Sequence, residues 1–404
     1  MKIRRIRVFE GGTLTTDGDG LSRRDLETLD RFEEANRLQA FQVGLKKVRI
    51  GGYVGIFASG DLLIEILPKA EPKNTPENDA LYRKWSSAFL RMLSVVYDLP
   101  LNDAGRFAQE NSEGNLLEIF LNHFLDEAET LARHGLARGY RRTVERRTSV
   151  CGKVMTAGIG IESIVHKEQL LCEFDVYDKA TIHNRLIASA LAALRHLPVS
   201  TSLAERAGRI VEAYPEPGVI TPTERLFDSL SLDRRTAAYV RALEYSRLIL
   251  LRFVPAQRPG ERESLSLLFK MNVLFEGYIG ILTWRAARKR GWRASLQSSK
   301  RFWERRTIRP DIILDTPNGR IILDTKWKVL RTAAPSVEDV RQMYAYNRFF
   351  NADRAYLVYP QVYDHPNRTG LFHDPDHRLS CGLFFVPLFE DGMLMTSVGN
   401  KIRG

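Results

Sequence analysis

Cysteine and histidine are scarce in this chain. Its 404 residues include three cysteines, Cys151, Cys172 and Cys381, far apart and without C-x-x-C spacing. That pattern excludes a cysteine metal cluster and a disulfide framework, and it suits a reducing compartment. Of the eight histidines, His365, His373 and His377 lie in a Pro- and Asp-rich loop that reads as a surface loop. No stretch approaches the roughly 18 apolar residues of a membrane span. The opening MKIRRIRVFEGG lacks the apolar run of a signal peptide, so a soluble, cytoplasmic protein is expected. No G-x-x-x-x-G-K-[ST] loop is present, so no nucleotide is expected on this chain itself.

What is abundant is positive charge and apolar content. Net charge is +11, which suits a polyanionic partner, and 44% of residues are hydrophobic, enough for sizeable cores. The length suggests two or three domains. Residues 1–75 read as a β-rich module, with strands at residues 2–9, Val48–Ile50, Tyr53–Phe57 and Leu62–Leu67 around a helix over Leu21–Ala40. Glu65, inside the last strand, reads as an outward-facing residue. Residues 76–255 read as helical, with Leu81–Tyr97, Gly114–His134, Ile182–Leu197 and Arg225–Arg252 as helices. A hairpin arm over residues 150–177 interrupts them, ending in Glu173, Asp175 and Asp178, which read as turn or helix-start acids. Before it runs a basic segment with Arg138, Arg141, Arg142 and Arg146, either solvated or a contact for phosphates or an acidic partner surface. A turn-rich linker after Val254 leads to the segment 260–404, which opens on a helix over Ser264–Lys289.

The chemistry concentrates in RPDIILDTPNGRIILDTKWKV, residues 309–329. Two β-branched runs, Ile312–Leu314 and Ile321–Leu323, flank Pro317-Asn318-Gly319, which is a hairpin signal. In a strand, residues i and i+2 share a face, so Asp324 and Lys326 point together, and hairpin pairing can bring Asp311 beside them. Hard divalent cations take carboxylate oxygens, which makes Asp311, Asp324 and the Thr325 carbonyl candidate Mg²⁺ ligands, with Mn²⁺ as a substitute. Lys326 is then placed to hold an attacking water or offset phosphate charge.

This PD…(D/E)xK pattern resembles the signature of restriction-endonuclease-like nucleases. The preceding helix carries Glu276; a following helix, capped by Ser336 with Asp339, carries Gln342, Tyr344 and Tyr346; then comes the strand Ala355–Tyr359. The resemblance implies that Glu276 and Gln342 assist catalysis. Between helix and hairpin, Arg288, Arg293, Lys300, Arg301, Arg305 and Arg309 interleave with Trp284, Trp292 and Trp303 and read as a DNA-backbone track.

A second resemblance spans more of the chain. GGYVGIFASGDLLIEILPKA, NLLEIFLNHFLDEAETLARHGLARGY, CGKV, CEFDVYDKATIHNRLIASALAAL, LFEGYIG, RPDIIL…LDTKWK and VRQMYAYNRFF are similar to successive blocks of the McrC family, from about residue 45 to 360. The fold expected is α/β (α+β): a β-rich and helical N-terminal half with a hairpin arm, then a C-terminal restriction-endonuclease-like α-β-β-α-β core. The resemblance implies a Mg²⁺-dependent endonuclease subunit of a modification-dependent restriction system. It would stimulate a hexameric McrB-like AAA+ GTPase, which reads modified cytosine in double-stranded DNA. The basic segment and the arm are the expected contact with that motor, and a nuclease-domain dimer is compatible with the resemblance. A free-standing nuclease and a non-catalytic adaptor are the alternatives.

Overall fold

The computed structural model describes residues 3–71, 78–98, 116–155, 170–194, 197, 199–254, 264–374, 378–390 and 393–395. The chain forms two compact units, one of residues 2–57, 62–116 and 268–404, the other of residues 58–61 and 117–267. The first and third segments expected from the sequence therefore share one unit. No helix among the described residues is long and apolar enough to cross a membrane.

In chain order the first elements are β1 (Arg4–Phe9), β2 (Thr13–Thr15), α1 (Arg23–Asn36), β3 (Phe41–Val43), β4 (Lys47–Ile50), β5 (Tyr53–Ser59), β6 (Leu62–Leu67) and α2 (Asp79–Val96). Ser22 and Asp25 form a reciprocal capping box at the start of α1, and Asn78 caps α2. β1 runs parallel to β6, and β6 is buried throughout. Glu65 is consequently not an outward-facing residue but wholly buried. Its carboxylate accepts from Arg5 Nε at 2.8 Å and from the Leu116 amide at 2.7 Å, and Arg7 Nε lies 3.6 Å away. Buried charge demands such partners, and the β1 arginines supply them.

The helical unit follows: α3 (Leu116–His134), β7 (Gly139–Arg147), β8 (Lys153–Val154), β9 (Leu170–Asp178), α4 (Ile182–Ala193), α5 (Thr201–Val211), α6 (Glu224–Asp228), α7 (Val240–Leu250) and β10 (Phe253–Val254). Leu117, Leu121, Phe124, Leu125 and Ala128 make the buried stripe of α3, and Phe120 stacks edge-on against Tyr245 of α7 at 5.1 Å. The continuous helix expected over Arg225–Arg252 is broken into α6 and α7, because Asp233 and Thr236 close a turn on each other. The expected arm folds back on itself, β8 against β9, and a third strand joins it. β9 pairs antiparallel with β7, Gly139 to Arg147, and β8 is added on its other edge, so the basic segment is itself a strand of the ribbon. Residues 156–169 of the arm lie outside the described residues.

The last elements are β11 (Ser264–Lys270), α8 (Met271–Lys289), β12 (Arg293–Leu296), β13 (Lys300–Trp303), β14 (Arg306–Ile308), β15 (Ile312–Thr316), β16 (Gly319–Thr325), α9 (Val337–Phe350), β17 (Arg354–Gln361), β18 (Arg368–Leu371), β19 (Ser380–Pro387), β20 (Phe389–Glu390) and β21 (Met393–Leu394). Ser264–Lys270 is thus a strand, not the first turns of a helix. The sheet order is β12-β15-β16-β17-β19-β18, with β16, β17 and β19 parallel. Central strands buried on both faces read as unbroken apolar runs, as IIL does twice here. Ile313, Ile322, Met343, Tyr346, Phe350, Leu357 and Phe385 form the core between α9 and this sheet. Within the same unit, Gly52 accepts the Met271 amide, and Gly277 of α8 lies close against Val96 of α2.

Candidate active site

The site forms where the central hairpin ends. Pro317 and Asn318 make the turn, and Gly319 takes a φ of 107° that a side chain would strain. Register pairs Ile312 with Leu323, which sets Asp311 at the mouth of β15 beside the end of β16. The Thr325 amide and hydroxyl both donate to Asp311 Oδ2, at 2.6 and 2.7 Å. Asp324 lies opposite Leu357 of β17 and is 2% exposed. Two residues further, the Lys326 amide donates to the Val358 carbonyl at 2.8 Å. Asp324 and Lys326 share a face, and Lys326 Nζ lies 2.7 Å from Asp324 Oδ2. That oxygen is buried, and the lysine is its charge partner.

α9 supplies the other wall. Asp339, Gln342 and Tyr346 follow at spacings of three and four, one face of a helix. Lys326 Nζ donates to Gln342 Oε1 at 3.0 Å, Gln342 Nε2 donates to the Tyr346 hydroxyl at 2.7 Å, and Tyr346 donates to the Arg309 carbonyl at 2.9 Å. The chain of bonds fixes the lysine to the strand that carries Asp311. Ser336 Oγ caps α9 by accepting the Asp339 amide at 3.2 Å, but the Asp339 carboxylate turns away to Lys328 at 2.5 Å and to Lys326 at 3.8 Å. Burial would raise the Asp339 carboxyl; the Lys328 and Ser336 bonds hold it below its usual range.

Charge within this pocket is poorly compensated. Burial, and then the Asp311 charge, push Asp324 up to about 6 despite the lysine beside it. The same two causes raise Glu276, which accepts from Gln297 Nε2 at 2.7 Å. Gln297 also donates its amide to the Asp311 carbonyl at 2.9 Å and so ties Glu276 to the hairpin. A cation would relieve the mutual repulsion of Asp311 and Asp324, and two carboxylates with a backbone carbonyl are hard-oxygen donors of the right kind. Among the described residues, no three His, Cys, Asp or Glu side chains form a metal-binding group. Gln297 and Tyr346 carried no chemical signal in the sequence. The spacing of Asp339 from Gln342 on one helical face could have found Asp339.

Trp327 anchors the loop after Lys326. Its indole donates to Glu10 at 2.5 Å, and the ring packs on Phe275 at 5.1 Å and Trp85 at 6.3 Å. Burial pushes Glu10 up to about 7, offset in part by the Trp327 bond and the Lys69 amide. Glu10, Arg49, Lys69, Trp327 and Lys328 line a cleft of about 400 Å³.

The proposed DNA-track residues Arg288, Arg293, Lys300, Arg301, Arg305 and Arg309 are all exposed. Arg288 covers the Trp284 ring at 5.5 Å on α8, Arg293 starts β12, and the rest lie on or after β13. In the arm, Arg141 pairs with Asp178 at 3.1 Å, and Arg142 lies near Asp175 at 3.7 Å and Glu173 at 3.9 Å. The acids of β9 therefore neutralise part of the basic strand; Asp178 also accepts the Ala180 amide at 2.8 Å, as a turn acid does, while Thr181 caps α4.

A mixed α/β chain with acids and a lysine at the end of its central hairpin has the architecture of an McrC subunit. It aligns with a chain from the Thermococcus gammatolerans assembly of McrB AAA+ hexamers with bound McrC, with a TM-score of 0.69, 17% identity and coverage of 98% of both chains. A second alignment, to the McrBC complex of the same organism, covers 70% of this chain and 88% of that one at 17% identity and a TM-score of 0.47. Residues 48–360 match the family described as McrBC 5-methylcytosine restriction system component, and the chain belongs to that family. A search of curated protein sequences finds no significant match.

Proposed function

We propose that this chain is the Mg²⁺-dependent DNA endonuclease subunit of a modification-dependent restriction system. The observation that carries the reading is the convergence of Asp311, Asp324 and Lys326, with Asp324 buried and short of compensating charge. Asp311, Asp324 and the Thr325 carbonyl would hold the metal, Mg²⁺ or Mn²⁺ in its place. When bound, the ion supplies Lewis-acid stabilisation of charge on the scissile phosphate and the leaving oxygen. Lys326, steered by Gln342, orients the attacking water and faces the phosphate charge. Glu276, raised and half-buried, accepts a proton from that water.

The family description and the McrB hexamers of the Thermococcus assembly support a motor partner as well. In this reading the chain docks on a McrB-like AAA+ GTPase and stimulates it, with the β7–β9 ribbon and Arg138, Arg141, Arg142 and Arg146 as the contact. The partner reads the modified cytosine. The test is cleavage of methylated DNA by the reconstituted pair. Asp324→Ala or Lys326→Ala should abolish it while the chain stays folded, and cleavage surviving either change refutes the assignment. Efficient cleavage by this chain alone would identify a free-standing nuclease. Deleting the β7–β9 ribbon should abolish GTPase stimulation.

A further inference from the structure

The nine residues Lys300–Ile308 form a two-stranded ribbon that stands apart from the six-stranded sheet. Glu304 turns it with a φ of 47°. Its base is fixed. Ile308 packs against the core under α9, Phe302 meets Phe349 edge-on at 5.1 Å, and Lys300 donates to the Phe349 carbonyl at 3.0 Å. Its outer part is not fixed. Trp303 is 62% exposed, and among the described residues Arg301, Arg305 and Arg306 make no ion pair.

Phe302 (48% exposed) and Trp303 stand side by side among arginines, the aromatic and arginine mix enriched at binding interfaces. Four cations against one acid, Glu304, make the occupant an anion. A second copy of a chain with net charge +11 would be repelled by this ribbon. The major groove of a duplex is about 12 Å wide and admits a two-stranded ribbon. Ile308 is three residues from Asp311, which at about 3.3 Å per residue is roughly 10 Å, or about three base pairs.

We propose that the β13–β14 ribbon enters the major groove beside the cleavage site. Arg301, Arg305 and Arg306 hold phosphates on the groove walls, and Trp303 lies against base edges. This fixes where along the duplex the scissile phosphate meets Asp311, and it rests on the nuclease reading of the Asp311–Asp324–Lys326 site.

The test is binding of the full chain to a linear duplex without divalent ions, by fluorescence anisotropy across a salt series. Three lost phosphate contacts, at about 0.9 each, should flatten the slope of log affinity against log salt by about 2.7 in Arg301→Ala/Arg305→Ala/Arg306→Ala. Trp303→Ala, which loses apolar area buried against base edges, should weaken binding about tenfold at every salt concentration with the slope unchanged, and Trp303→Phe should recover most of it. Thermal melts matching the parent chain establish that these variants fold. An unchanged slope in the triple variant overturns the proposal. So does a variant that keeps its DNA binding but dissociates a dimer in sedimentation, which would make the ribbon a contact between copies. Asp324→Asn separates the two readings. It should bind with the parent slope and not cleave, and if it does cleave the nuclease reading falls while the slope comparison still decides the ribbon.

Discussion

Replacing Lys326 with methionine keeps the aliphatic stem and removes the ammonium that faces Asp324, Gln342 and Asp339. Even with that ammonium 2.7 Å away, burial and Asp311 hold Asp324 at about 6 rather than 3.8. Ionising it in the metal-free fold therefore already costs about 3 kcal/mol, at about 1.4 kcal/mol per pKa unit. A carboxyl raised on folding contributes stability that is present below its unfolded pKa and is lost as pH rises through the folded one. Without the lysine the folded pKa climbs further, so the extra loss develops above pH 6. At pH 8 Lys326→Met should cost roughly 3 kcal/mol more, the penalty of stranding a buried charge. At pH 5 Asp324 is mostly protonated in both chains and the difference should nearly vanish. Urea unfolding with a chelator present, at both pH values, measures this directly. Asp324→Asn/Lys326→Met should regain stability at pH 8 without regaining cleavage. Equal destabilisation at pH 5 and pH 8 would refute the buried ion pair.

Glu10→Gln should stabilise the chain at pH 8 and do little at pH 4. A carboxyl raised to about 7 costs folding free energy once ionised, at most about 3 kcal/mol for a partly exposed group. The change is read from melting curves at the two pH values. Glu65→Ala strands the Arg5 guanidinium and the Leu116 amide, and should cost roughly 3–5 kcal/mol in denaturant titration. Gly382→Ala places a Cβ 2.4 Å from the Tyr356 ring between β17 and β19, and should lower thermal stability by about 1–3 kcal/mol.

The hairpin was legible because its signals are local. Turn formers sit between two apolar runs, and a period of two puts Asp324 and Lys326 on one face. Where context decides, the sequence misled. Glu65 sits in the apolar run LLIEIL, and donors far along the chain, the β1 arginines and the Leu116 amide, make its burial tolerable. LSLLFK preceding α8 has no polar spacing to separate strand from helix, and pairing settles it as β11. The arm does fold back on itself, β8 against β9, but nothing local shows that the basic strand β7 pairs along the other edge of β9, where Arg141 and Arg142 meet its acids. Nothing local shows that the Trp327 indole reaches Glu10.

The central claim is that Asp311 and Asp324 together grip a divalent ion. Paramagnetic resonance of free Mn²⁺, titrated into the full chain at pH 8, tests it without relying on cleavage. The parent chain should remove Mn²⁺ from solution at a site that Mg²⁺ competes for, and Asp311→Asn and Asp324→Asn should each lose it. Undiminished Mn²⁺ uptake in both variants would contradict the claim.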